Sequence, residues 1–242
     1  MNGLRETFVY LADTPLLWLW LTLLCYQLAL WLQRISGRAA WANPVALSTF
    51  MVGGVILISG VSYKQYFSGA QFIHFLLGPT VVALALPLVL HWKSVRRALW
   101  PLLFSLLAGS AIAIICAVGL AYLFGLDEVL VKSVAPKSAT APIAMGIAES
   151  TGGIASLAAV SAVITGIIGA SIATPLLNRL HFRDWRARGF AVGLNCHGIG
   201  TAHAFTIHPI AGVYATVGMA LNGMLTAVLT PLVLWRVFGV GA

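Results

Sequence analysis

Residues 136–144 read PKSATAPIA, a lysine and two hydroxyl side chains held between prolines, in a chain whose mean hydropathy is +0.95. The flanks decide how this stretch is read. Apolar segments of span length precede it at 15–32, 45–61, 72–90 and 99–124 and follow it at 154–177, 187–207 and 210–237. About 20 apolar residues cross a hydrocarbon core of about 30 Å as a helix. Hydrophobic residues make up 60% of the 242 and charged residues 8%, against about 25% charged in a soluble domain. The chain therefore reads as all-α: a polytopic membrane protein with about seven transmembrane helices. No polar stretch is long enough for a soluble domain, so residues 1–242 are expected to form a single integral membrane domain. The first apolar segment follows Arg5, Glu6 and Asp13 and runs longer than a signal-peptide core, so it is kept as a span.

The net charge of +8 comes from basic residues scattered between apolar runs, without the basic arm or aromatic–basic stripe that binds nucleic acid. Membrane orientation explains them better. Arg34 and Arg38 follow the first span, Lys93, Arg96 and Arg97 the third, and Arg179, Arg183, Arg186 and Arg188 the 154–177 segment, while Arg236 ends the last. If all of these face the cytoplasm, only one net crossing separates Asp127 from the 179–188 loop, and the 154–177 helix already makes it. Residues 126–150 must then enter and leave on one face as a re-entrant hairpin turning at PKSATAPIA. A spanning helix broken between Pro136 and Pro142, with one basic loop on the wrong side, is the competing geometry. An inverted repeat pairing 15–124 with 126–237 is compatible with the number of segments, although no repeat is visible in the residues.

Either geometry puts Lys137 near mid-membrane, where a lysine costs about 2.5–3.5 kcal/mol on insertion scales. Ser138 and Thr140 flank it with hydroxyls, and the prolines remove two backbone donors. Beyond Pro142 the run IAMGIAES reads as a short helix whose first N–H groups point at the turn, and a helix N-terminus beside a lysine suits an anion. A snorkelling lysine at a loop end is the plainer alternative. A second interruption, NCHGIGTAH at 195–203, carries Asn195, His197, Thr201 and His203 beside Gly198 and Gly200. His197 and Thr201, four apart, would share a helix face, whereas His197 and His203, six apart, would not. With no carboxylate or cysteine pair near them, no metal site is expected. No cofactor is expected either. Cys25, Cys116 and Cys196 lack ligand spacing and read as free thiols. Asn43 before Pro44 reads first as a helix cap, with binding as the minority alternative. Tyr63, Lys64 and Tyr66 read as an interfacial anchor. Gly166 and Gly169 mark close helix packing.

The ordered motifs are Asn43-Pro44, Tyr63-x-x-Tyr66, LLGPTVVALALPL at 76–88, PKSATAPIA at 136–144, GGIASLAAVSAVITGIIGA at 152–170 and ARGFAVGLNCHGIGTAHA at 187–204. Together they resemble the LrgB/CidB family of bacterial membrane proteins, related to the plant plastid glycolate/glycerate translocator. The resemblance implies transport of small two- or three-carbon acids such as glycolate, glycerate, pyruvate or acetate. It also implies a homo-oligomer or a small LrgA-like membrane partner, in the bacterial cytoplasmic (inner) membrane. An older description of the family implies a regulator of murein hydrolase export and autolysis, acting with a holin-like partner. Carried over by motif, its polar clusters fall on Lys137, Ser138 and Thr140 and on His197 and Thr201. The chain departs from the family pattern at Ala141, Asn195, Cys196 and His203, where the family has Thr, Ala, Ser and Arg, and it lacks acidic residues around 206–211.

The leading expectation is a secondary carrier of a small monocarboxylate anion, not an enzyme. The anion would bind near the midplane among Lys137, Ser138, Thr140, Asn195, His197, Thr201, His203 and Asn43, and His197 or His203 would carry any coupled proton. The alternative is the non-transporting regulator. An intramembrane protease fares poorly, because Ser138 lacks a GxSxG context and a spaced histidine partner.

Overall fold

The computed structural model describes residues 14–37, 42–76, 79, 82–83 and 85–239. Arg5, Glu6, Asp13, Arg38 and, within the expected 72–90 span, residues 77, 78, 80, 81 and 84 lie outside them. The chain divides into two compact units, Met1–Leu84 and Ala85–Ala242.

The first unit holds α1 (Pro15–Ile35), α2 (Pro44–Ser59) and α3 (Tyr63–Phe75). Their ends are written locally. Asn43 caps α2 through its side-chain oxygen, Pro44 fills the first turn, Gly60 closes the helix at φ 68°, and Ser62 caps α3. Trp18 of α1 is buried against Tyr66, which also meets the Thr22 hydroxyl at 3.3 Å. Gly69 allows this approach, since a Cβ there would lie 2.8 Å from the Trp18 Cβ. Tyr66 is thus a packing residue, while Tyr63 stays exposed.

The second unit begins with α4 (Ala85–Leu90) and α5 (Trp92–Arg97) and continues with α6 (Leu99–Leu123), α7 (Glu128–Val134), α8 (Ala141–Thr151), α9 (Ala155–Arg179), α10 (Trp185–Ile207) and α11 (Pro209–Phe238). α7 and α8 form a tight antiparallel hairpin. Asp127 caps α7, and Gly152 at φ 82° ends α8 in the left-handed region. The Ile154 amide donates to the Ser133 hydroxyl at 2.7 Å, although 21 residues of continuous helix would separate them by about 31 Å. Gly153 permits the closure, because a Cβ there would lie 2.9 Å from the Ser133 nitrogen.

A second reversal lies inside α10. His197 adopts φ 38°, ψ −131°, and the chain doubles back there. A Cβ on Gly200 would meet the Val192 side chain, and Ala204 shares a core cluster with Val192 and Cys196. Trp185 stacks on His208 with centroids 4.9 Å apart, where a straight helix of 23 residues would separate them by about 34 Å. The expected span over 187–207 is therefore a pair of short antiparallel arms, and it does not cross in one pass.

This reversal inverts the last helix. Phe190 and Leu194 pack with Val95, Leu102, Leu106 and Tyr214 at one end of the unit, whereas Leu234 packs with Val118, Ala121 and Val131 at the other. Lys93, Arg96, Arg97 and the 179–188 loop thus share one end. Arg236 lies at the opposite end with Glu128 and Lys132, whose ammonium sits 5.9 Å from the Phe238 ring centroid. The expectation that Arg236 joins the other arginines on one face is corrected, because it assumed a crossing that the His197 reversal removes.

The protein is helical and built for a membrane. Pro15–Ile35, Leu99–Leu123, Ala155–Arg179 and Pro209–Phe238 are long and apolar enough to cross, and Pro44–Ser59 is a shorter apolar helix. The two units divide after Leu84, away from the residue 125 boundary of the repeat considered above.

Candidate functional site

The two hairpins meet tip to tip on the middle of α11, and one side chain joins them. Asn222, 1% exposed, donates through Nδ2 to the Ser138 carbonyl at 2.7 Å and to the Leu194 carbonyl at 2.9 Å. Its oxygen accepts from the Ser110 hydroxyl at 2.5 Å and from Thr226 at 3.3 Å. Carbonyls only accept, so the partners themselves fix which way the amide points.

Both carbonyls are free for a reason written in the chain. A helical Ser138 carbonyl would accept from residue 142, which is proline and has no N–H. The Leu194 carbonyl would accept from Gly198, on the far side of the His197 break. Each interruption thus frees an acceptor near its tip, and Asn222 takes both.

Around this stitch lie most of the residues expected from the sequence. Lys137 sits, partly buried, in the turn between α7 and α8. Among the described residues the ion pairs are Lys132–Glu128 and Arg186–Asp184, and neither involves Lys137. Thr140 is the N-cap of α8 without a side-chain cap bond, which leaves the first amides of that helix facing the turn.

His197 is buried, and its backbone lies where side-chain-bearing residues pay roughly 1–3 kcal/mol of strain. Its Nε2 has no hydrogen-bond partner. Gly166 makes room for the ring, and Gly169 for Cys196, so the close packing expected of these glycines is realised. Thr201 is buried with its hydroxyl 3.8 Å from the Met219 sulfur. The shared helix face expected for His197 and Thr201 does not apply, because His197 is the turn and Thr201 belongs to the returning arm.

Asn195 is exposed, donates to the Ala191 carbonyl at 3.0 Å, and lines a cavity of about 540 Å³. His203 is on the returning arm beside Trp185 and Arg188, well down from the tip. Asn43 belongs to the first unit, where Val45 and Ala46 N–H groups occupy its oxygen.

Sequence reading missed Asn222. The available signal was its place as the lone asparagine in the long apolar 209–238 run, where an amide needs a partner.

Long apolar helices, four of them of span length among the described residues, together with two reversing helical hairpins define a helical membrane protein with an interrupted-helix core. The chain belongs to the LrgB-like family, whose model matches residues 22–235. It is 34% identical over 79% of its length to an uncharacterised Bacillus subtilis protein, YxaC, covering 84% of that protein. It is 31% identical over 90% of its length to an uncharacterised Haemophilus influenzae protein, covering 94% of that one. A Staphylococcus epidermidis protein named holin-like protein CidB is 29% identical over 79% of this chain and 84% of its own length. No solved structure matches.

Proposed function

We propose that this protein is a secondary carrier of small monocarboxylates of the glycolate, glycerate, pyruvate or acetate class, and not an enzyme. The observation that carries the reading is Lys137, a partly buried ammonium without an ion-pair partner among the described residues, at the junction of two interrupted helices. A carboxylate would complete it. Lys137 and the first amides of α8 hold the anion, and Ser138, Thr140 and Thr201 serve hydroxyl or keto oxygens.

In this reading the hairpins are re-entrant from opposite faces, and each is followed by a long spanning helix. Residues 128–179 and 185–238 then form two inverted copies of one unit, with the site between the tips. The membrane is the bacterial inner membrane, with the 179–188 end cytoplasmic. A homo-oligomer or a small LrgA-like subunit completes the assembly. His197, at the junction, is the better placed of the two histidines for a coupled proton.

Uptake of labelled glycolate and pyruvate into proteoliposomes, with and without a pH gradient, tests this. Saturable uptake abolished by Lys137→Ala is expected. Absence of saturable uptake of any C2–C4 acid, with an LrgA-like partner also present, refutes the carrier, and equal uptake with and without the gradient refutes the proton step. The second reading, a regulator of wall hydrolysis acting with a holin-like partner, is favoured by the name of the Staphylococcus relative. It expects Lys137→Ala to leave partner assembly and lysis unchanged.

A further inference from the structure

We propose that the cavity between α6 and the outgoing arm of α10 is an anion-admitting vestibule for small carboxylates, closed at its far end by Leu194 seated on Gly109. The proposal rests on the carrier reading and adds a second ligand position to it, on the side of the 179–188 loop.

The cavity, about 540 Å³, is within the range of small-molecule sites. Arg97, Asp184 and Arg186 line its basic end and Gly109, Leu194 and Asn195 its far end, and Ser105 and Asn195 are exposed along the way. Eight residues of helix from Arg186 to Leu194 make it roughly 12 Å long.

The charge at the basic end is not what a count of arginines suggests. Asp184 holds Arg186 through paired contacts of 2.8 and 3.1 Å, so those two charges cancel. Arg97 is exposed and has no ion pair among the described residues, which leaves it as the net charge of that end. A guanidinium attracts a carboxylate and can grip it at two points. Ser105 and Asn195 offer hydrogen bonds further along.

The floor is specific. Leu194 is 3% exposed, and a Cβ on residue 109 would come within 3.0 Å of its Cδ1, so glycine is what lets this side chain lie across the cavity. The Leu194 carbonyl is bonded to the same amide as that of Ser138. Leu194 therefore links the floor of the vestibule, through the Asn222 amide, to the turn that carries Lys137.

The test reads thiol reactivity and needs no transport. In full-length protein carrying Cys116→Ser, Ser105→Cys is exposed to anionic and cationic methanethiosulfonates of equal size. The anionic reagent is expected to react faster, and Arg97→Gln to lower the anionic-to-cationic ratio about tenfold. Millimolar glycolate should slow the anionic reaction in the chain that retains Arg97. For the floor, Ser138→Cys should react at least about tenfold faster when combined with Leu194→Ala, with thermal melting confirming that both variants are folded.

A ratio indifferent to Arg97→Gln, or an unreactive Ser105→Cys, overturns the vestibule. Equal Ser138→Cys rates with and without Leu194→Ala overturn the floor. Charge-selective labelling in protein incapable of any uptake supports the vestibule and counts against the carrier.

Discussion

Replacing Asn222 by leucine should damage this protein more than any other single polar change in α11. The substitution removes both donors from the Ser138 and Leu194 carbonyls and the acceptor from Ser110. A buried group left unsatisfied costs about 1–3 kcal/mol, so two carbonyls imply about 2–6 kcal/mol. Hydrogen bonds between membrane helices average only about 0.6 kcal/mol when cut, because the freed groups find other partners. Here that escape is closed, since residue 142 is proline and Gly198 lies beyond the break. We therefore expect a loss of about 2–4 kcal/mol for Asn222→Leu, read by denaturant titration in detergent micelles followed by circular dichroism. Thr226→Val removes a single 3.3 Å contact and should cost below about 1 kcal/mol. A double-mutant cycle of Asn222→Leu with Ser110→Ala should show coupling, because both report on one amide. An Asn222→Leu protein within about 0.5 kcal/mol of the unmutated chain would refute the stitch, since substitutions that touch no structural feature fall within about that margin.

Glycine contacts give two further expectations. Gly193→Ala would drive a Cβ into the Ala215 carbonyl, so α10 must leave α11 at a cost of about 3 kcal/mol, measured in the same titration. Gly153→Ala presses on the Ser133 nitrogen and should cost about 1–3 kcal/mol. Gly146→Ala, with nothing near its Cβ and a helical backbone, should be neutral or stabilising by about 0.5–1 kcal/mol. At the basic end, hydrogen bonds from the Arg186 side chain and amide hold the Asp184 carboxyl below its usual value of 3.8. Its contribution is full above that value and is lost as pH falls through the lowered one, so exchange at the Arg186 amide should accelerate only in strong acid. Asp184→Asn should flatten that acid response.

The first hairpin was legible in part. The paired prolines marked its turn, and charge counting brought residues 126–150 back to one face only if the 179–188 arginines are cytoplasmic, with a broken span as the competing geometry. The second was only half legible. Gly198 and Gly200 announced an interruption, but the reversal occurs at His197, a residue type that seldom takes positive φ, so an in-line weak point was the natural reading. That one angle also misled the placement of Arg236, since every later crossing inherits the error. The placement of His203 beside Trp185, away from His197, follows from the same reversal. Asn222 could be flagged as costly in an apolar helix, yet its value lies in two carbonyls 28 and 84 residues away, and pairings at that separation leave no periodicity.

The shared amide has a mechanical consequence. A carboxamide is flat, and its two N–H bonds point in directions fixed relative to each other, so it cannot follow two carbonyls that part. Whatever displaces one hairpin tip must carry the other along or break a bond to Asn222 first. The two tips, though they belong to separate hairpins, are yoked, and a ligand that moves either one moves it against the resistance of both.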